Sequence, residues 1–514
     1  MNSRSPLARA VDASLWLGIG LGVCARVVRY LDARSLWGDE AQLALNLMKR
    51  DAAALLGPLD MAQSAPYGFL LLERAVIESF GAGELALRAL PLLASLGALP
   101  LFAYVARRVL VPRDALVALF LFATSEPLIF YASELKQYAF DVAVVLGLFG
   151  LALRAVSEAG AERGAPLGLA IAGAIGVWFS HPAAFALGAI GALLFANAWQ
   201  REQLDGSVLA QLGALAALWI GSFALSFGMQ GDAALADPYL QRFWADAFAP
   251  FPPLSAADLL WYPKTLLGFF ADPLGLPPEG LALFAACAGV LRFARTRPLW
   301  LVLLLGVPLL ALLASMAGLF PLRTWPGVDI RDRLFPFVGR LWLFAVPLAL
   351  LLVAAGVGWL RERGDELGEW LVLAALLLVS GLSLRQAAVN AFDPPQIQEF
   401  RPVAVQMAEK LESGDHLWIQ RGSEPVFEYY ARQLGLQVSA RNVAALEPEH
   451  RVAFERDVAA LAPEDRVWLV HLSHPAWQTA ENSAALTRGL EVRATRELEL
   501  SAPGATAILF SVKN

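Results

Sequence analysis

Charge is what this chain has least of. Only 17% of its 514 residues are charged and 57% are hydrophobic; soluble domains carry roughly a quarter charged residues. The mean hydropathy of +0.54 points the same way, to lipid as the solvent around much of the chain. Positive charge is the scarcer sign, with a net of -6, and no basic face for nucleic acid is available. Cysteine is nearly missing: Cys24 and Cys287 lie far apart in apolar runs, which argues against a disulfide framework or a thiolate metal site. The five histidines show no HExxH-type spacing, and His471 with His474 reads as the end of a strand. No cofactor is assigned, and no ligand spacing supports a divalent metal.

Apolar runs of membrane length are abundant. A hydrocarbon core of about 30 Å takes about 20 helical residues. Candidate spans lie near 12–31, 85–106, 114–132, 139–157, 165–180, 182–199, 208–228, 278–296, 298–319, 341–360 and 368–388. The first lacks a small-residue cleavage site and reads as a retained anchor. Arg4, Arg9, Arg107, Arg108, Arg113, Arg154, Arg163, Arg201, Arg292, Arg295, Arg297, Arg361 and Arg363 all fall on one side, which the positive-inside rule makes cytoplasmic. The N-terminus is then inside, and the loops 32–84, 229–277 and 320–340 and the C-terminus are outside. Residues 237–272 are dense in Trp, Tyr and Phe, which suits anchoring in the headgroup zone or lining a lipid groove.

The expected fold class is mainly α: a polytopic membrane helical bundle of about 11 spans over 1–392, with a small extracytoplasmic α/β domain over 393–514. In that domain 417–419, 467–470 and 507–510 read as buried strands, with amphipathic helices near 424–434 and 448–461. It contains no glycine-rich phosphate loop.

Three charged clusters fall on the predicted outer face. The first is Asp39-Glu40, just past the first span, where two acids are costly unless they meet water, a cation or a substrate. They also suit the N-terminus of a helix starting at Ala41. The second is Glu134, Lys136, Tyr138 and Asp141; if 134–141 is helical, Glu134, Tyr138 and Asp141 share a stripe and Lys136 points elsewhere, toward a phosphate or an acid. Its structural alternative is a self-compensating network that shapes a turn. The third is Arg323, Asp329, Arg331, Asp332, Arg333 and Arg340; arginine forks match phosphate oxygens, and salt bridges or anionic headgroups are the alternative.

The chain resembles the GT-C superfamily of polyprenyl-phosphate-sugar-dependent glycosyltransferases, in the branch containing protein O-mannosyltransferases and the aminoarabinose transferase of lipid A. The resemblance rests on Trp37-Gly38-Asp39-Glu40-Ala41, Ala65-Pro66-Tyr67-Gly68-Phe69-Leu70-Leu71, Phe80-Gly81 through Glu84-Leu85-Ala86-Leu87-Arg88, Tyr131 through Tyr138, and Gly339-Arg340-Leu341-Trp342-Leu343-Phe344. It covers most of residues 12–390. Related proteins often have His-Pro-Pro where this chain has Ser64-Ala65-Pro66, so no histidine role carries over to that loop.

What the resemblance implies is a multi-pass enzyme of a bacterial inner membrane. It would move a sugar from an undecaprenyl- or related polyprenyl-phosphate donor to an acceptor hydroxyl outside, with no nucleic acid involved and the sugar and acceptor unspecified. Asp39 is then the catalytic base and Glu40 its support, giving inversion at the anomeric carbon. Tyr67, Glu134, Lys136, Tyr138, Asp141, Arg331 and Arg340 are the expected substrate-binding residues, with Lys136, Arg340 and Arg331 toward the phosphate. Two other classes compete. A transporter or lipid flippase would place ionisable residues mid-span and show two related halves; an inactive scaffold would depend on its C-terminal domain and not on Asp39.

Overall fold

The computed structural model describes residues 6–158, 167–236, 238–322, 338–392, 396–436, 439–473 and 479–513. Arg4, Arg163, His474 and the run holding Arg323, Asp329, Arg331, Asp332 and Arg333 lie outside the described residues.

The helices in chain order are α1 (Pro6–Leu31), α2 (Gly38–Lys49), α3 (Tyr67–Phe80), α4 (Glu84–Val109), α5 (Pro112–Thr124), α6 (Glu126–Phe130), α7 (Tyr138–Glu158), α8 (Leu167–Gly176), α9 (Ala183–Gln200), α10 (Gly206–Ala236), α11 (Pro238–Phe243), α12 (Ala256–Ala271), α13 (Glu279–Thr296), α14 (Pro298–Met316), α15 (Val346–Arg363) and α16 (Glu366–Phe392). Among the described residues eight helices are long and apolar enough to cross a bilayer, and a bent pair brings the number to nine. The protein is a multi-pass membrane helical bundle.

Of the eleven expected spans, 165–180 and 278–296 are the two whose helices, α8 and α13, fall outside that set. The 114–132 segment bends by 52° between α5 and α6, where Pro127 supplies no N–H to the helical ladder. At ten residues α8 is only about 15 Å long, and the chain continues through Trp178–Pro182 into α9. α13 is long enough but carries Glu279, Arg292 and Arg295 among its eighteen residues. It packs backbone to backbone on α15, since a Cβ on Gly289 would collide with the Leu352 carbonyl and one on Gly356 with that of Ala285.

Arg107, Arg292 and Arg297, three of the arginines that argued for one membrane side, gather at one end of the bundle. Arg107 pairs with Asp12 at 2.9 Å, Arg297 donates to the Val109 carbonyl, and Arg292 pairs with Asp114 (2.6 Å) and Glu362 (3.1 Å). The 26 residues of α4 bring the chain to that end from the other, about 39 Å away. At that other end sit Asp39, α3 and the C-terminal domain. Arg26, fully buried in α1, donates to Ser95 Oγ (2.8 Å) and the Ala123 carbonyl (3.1 Å), as a guanidinium inside a bundle must.

The C-terminal domain adds α17 (Phe400–Lys410), α18 (Glu424–Gln433), α19 (Pro448–Ala460) and α20 (Thr479–Glu491) around a five-stranded sheet. Its strands β1 (His416–Gln420), β2 (Ala440–Val443), β3 (Arg466–Leu472), β4 (Ala494–Ala502) and β5 (Ala505–Val512) run in the order β2-β1-β3-β5-β4. β1, β2 and β3 are parallel and β5 is antiparallel to both neighbours. The expected strands and two helices fall on β1, β3, β5, α18 and α19; β2 and β4, exposed along much of their length, had no apolar run to announce them. This domain docks directly on the entry to α2: Gln398 Oε1 accepts from Gly38 N–H (2.8 Å), Glu399 from Ser35 N–H (3.0 Å) and Tyr430 OH from Leu36 N–H (2.8 Å).

Candidate active site

α2 starts at Gly38, three residues earlier than Ala41, because Gln398 from the C-terminal domain takes the Gly38 amide that a local cap would otherwise satisfy. Asp39 and Glu40 therefore occupy the first turn, where the helix dipole favours carboxylates, but neither caps it; the N-cap is Trp37, with no side-chain cap bond. One residue of helix rotation separates their fates.

Glu40 points inward and is fully buried. Arg88 of α4 grips both its oxygens (Nε to Oε1 2.8 Å), and Leu135 N–H donates to Oε1 at 2.8 Å. Burial works to raise its carboxyl, but Arg88 and Arg34 outweigh that and leave it below the ordinary value. Glu134 is likewise fully buried, paired with Arg34 and accepting from Trp37 Nε1 at 2.9 Å. Both acids are struts that fix the 34–37 and 134–136 segments against each other.

Asp39 turns the other way, into a cavity of about 1510 Å³ between the bundle and the C-terminal domain. Its Oδ1 lies 3.0 Å from Lys136 Nζ and accepts from Gln63 Nε2 at 3.1 Å; among the described residues Oδ2 has no partner. Gln63 is itself held by Gln42 (2.7 Å) and Lys136 (2.6 Å). It follows two left-handed residues, Met61 (φ 60°) and Ala62 (φ 53°), which turn the chain toward Asp39. Burial tends to raise the Asp39 carboxyl; the Lys136 ammonium and Arg340 guanidinium overcome it, and Asp39 stays ionised to below the usual carboxylate range. Burial lowers the Lys136 ammonium, an effect Asp39 only partly offsets.

Arg340 donates to Tyr138 OH at 3.2 Å and lies over the Trp244 ring, 5.7 Å from its centroid. Tyr138 is wedged edge-on against Tyr131 at 5.0 Å. The preceding Gly339 passes so close to the Asp272-Pro273 backbone that a Cβ would strike the Asp272 carbonyl. An aromatic wall of Phe227, Phe243, Trp244 and Phe248 faces these charges, while Arg421, Glu424, Glu447 and Asn482 of the C-terminal domain close the cavity.

The structure thus brings together Asp39, Lys136, Tyr138, Asp141 and Arg340 of the expected set. Glu40 and Glu134 stand behind the cavity wall. The expected Glu134–Tyr138–Asp141 stripe does not form because 134–137 is not helical: Leu135 N–H goes to Glu40 and α7 begins only at Tyr138. Tyr67 is away from the cavity, its OH donating to the Ala52 carbonyl at 2.9 Å. Arg331 lies outside the described residues. Gln42, Gln63 and Arg421 were not anticipated, being polar residues in loops and helices with nothing in their sequence context to mark them. Arg88 had a signal: an arginine inside an apolar span requires a buried partner.

No family model matches the sequence, and no curated protein sequence matches it. Solved structures do. ArnT from Cupriavidus metallidurans in the apo state superposes over 98% of this chain and 98% of its own, at TM-score 0.54 and 13% identity. The same protein bound to undecaprenyl phosphate covers 96% and 98%, at TM-score 0.52 and 13% identity. The oligosaccharyltransferase AglB from Archaeoglobus fulgidus, in complex with an inhibitory peptide and a dolichol-phosphate, covers 98% of this chain and 74% of its own, at TM-score 0.54 and 11% identity. The chain has the GT-C fold. Another structure of that oligosaccharyltransferase is a complex with Zn and sulfate, so a divalent cation needs testing against these residues. It fits poorly: among the described residues no three His, Cys, Asp or Glu side chains converge, and Lys136 already supplies the positive charge beside Asp39.

Proposed function

We propose that this GT-C-fold chain is a glycosyltransferase of a bacterial inner membrane, moving a sugar from a polyprenyl-phosphate carrier to an acceptor hydroxyl on the extracytoplasmic side. The observation that carries the reading is one cavity in which a carboxylate with a free oxygen, Asp39, stands beside two cations, Lys136 and Arg340, with aromatic side chains lining the same space.

The chemistry follows from those positions. The acceptor oxygen attacks the anomeric carbon and the bond to the phosphate oxygen breaks, its electron pair leaving with the polyprenyl phosphate. Lys136 and Arg340 offset the charge that develops there. Asp39 Oδ2 takes the acceptor proton. A carboxylate held ionised is a weak base, suited to accepting that proton late, when carbon–oxygen bond formation has made it acidic. Attack opposite the leaving group gives inversion. The polar wall from the C-terminal domain offers an acceptor hydrogen-bond partners in the same cavity.

The test uses vesicles containing the full chain and undecaprenyl-phosphate carriers bearing labelled monosaccharides. Wild type is expected to release undecaprenyl phosphate and label an envelope acceptor, and Asp39→Asn to lose about 10²- to 10⁴-fold of that rate. Equal transfer by the two proteins removes Asp39 from the reaction.

A further inference from the structure

The Asp39 network leaves one group of cavity residues unused. Gln137 and Asp141 lie one turn apart at the start of α7, and both line the cavity, as does His181. Asp141 is 5% exposed. Gln137 Oε1 and Asp141 Oδ1 are buried with no hydrogen-bond partner, and the Ser180 hydroxyl is the polar group beside the Asp141 carboxylate. Leaving such groups unpaired is unfavourable, and buried polar groups are paired almost everywhere else in proteins. The neighbouring cations are engaged elsewhere, Lys136 with Asp39 and Gln63, Arg340 with Tyr138.

The turn carrying Ser180 and His181 is held firmly against this face. Phe179 stacks on Phe140 of α7 with centroids 6.3 Å apart, and Gly68 N–H donates to the Trp178 carbonyl at 2.8 Å. A Cβ at Gly68 would come within 2.7 Å of that carbonyl and 2.9 Å of the Phe179 ring. Burial pushes the His181 imidazole down to about 4, so at neutral pH it is uncharged and presents one donor and one acceptor.

We infer that Gln137, Asp141 and His181 form the subsite for the donor's sugar ring, holding its hydroxyls beside the phosphate site. This rests on the donor reading above and adds to it where the sugar sits and what recognises it. Two orphaned acceptors and a neutral imidazole match a ligand rich in O–H donors. Without a cation of their own they disfavour phosphate, which divides the labour with Lys136 and Arg340. The wild-type cavity then binds a glycosylated carrier more tightly than the bare one.

The experiment measures binding of undecaprenyl phosphate, and of undecaprenyl phosphate bearing glucose, galactose or mannose, to the full chain in nanodiscs. Wild type should prefer at least one glycosylated carrier by about tenfold or more. Asp141→Leu and Gln137→Leu should each cut that preference severalfold, leaving bare-carrier affinity unchanged. Because each removes an orphan, the unliganded variants should melt no lower than wild type. A purely structural role predicts the opposite, a lower Tm. Retention of the preference in both variants, or its loss only together with Tm and bare-carrier binding, overturns the proposal. Equal wild-type binding of bare and glycosylated carriers overturns the subsite while sparing the donor reading. No wild-type binding of any carrier defeats both.

Discussion

Asp39 and Glu40 are chain neighbours with opposite tasks, and each task makes a separate prediction. Lys136 and Arg340 hold Asp39 below its ordinary pKa. The base form exists above that pKa, so transfer should be flat through the mildly acidic range and fall only at lower pH. Lys136→Met removes one cation, raises the Asp39 carboxyl and should move the acid limb of the rate profile to higher pH. A limb that stays put, or moves down, contradicts the pairing. For Glu40 the readout is stability. Breaking a buried pair by removing one partner costs about 3–5 kcal/mol, so Glu40→Leu and Arg88→Leu should each lower unfolding free energy by that order. The double variant, which leaves no unpaired charge, should lose less than the two summed. Strict additivity in denaturant unfolding would show the two do not interact. The Glu40 carboxyl is depressed in the fold, so its contribution is present above its unfolded pKa and lost as pH falls through the folded one.

At the scale of elements, the site depends on close approaches that only glycine permits. Gly339 brings the residue before Arg340 against the Asp272-Pro273 backbone, with Pro273 Cδ 2.7 Å from where a Cβ would sit. Gly339→Ala should push Arg340 off Tyr138 and weaken binding of undecaprenyl phosphate by about tenfold or more. Gly83→Ala, whose Cβ would meet nothing within 4 Å, should leave binding unchanged and serves as the control. If both variants bind alike, the approach is not what positions Arg340. Elements with long apolar runs, such as α4, α14 and α16, were legible from composition alone. The break at Ser125, the shortness of α8 and the extended start of the 134–137 segment were not. Each is decided by a partner or a proline that hydropathy does not register.

For the molecule as a whole, the open question of function becomes one of sides. The proposed topology puts the arginine-rich end in the cytoplasm and the C-terminal domain outside. Native Cys24 and Cys287 are exposed, so both are first replaced by serine. Ser413→Cys in the C-terminal domain should then react with a membrane-impermeant maleimide in intact cells, and Gln203→Cys only after lysis. The reverse pattern inverts the topology. The C-terminal domain is also a structural part of the site: Gln398, Glu399 and Tyr430 satisfy the amides that lead into α2. Tyr430→Phe leaves the Leu36 amide without its partner, at a cost of about 1–3 kcal/mol, and should lower both Tm and transfer. Unchanged values for both would leave the docked domain without influence on Asp39.

The sequence by itself determined the solvent, the helical class, a small polar domain at the C-terminal side and the grouping of Asp39 with Lys136 and Arg340 as candidates. Hydropathy and charge are properties of single residues summed over windows, so they survive reading in one dimension. Only the tertiary structure decided that Asp39 enters the cavity while Glu40 and Glu134 are sealed behind it. That division follows from where α2 begins, and its start is set by a hydrogen bond from Gly38 to Gln398, 360 residues away.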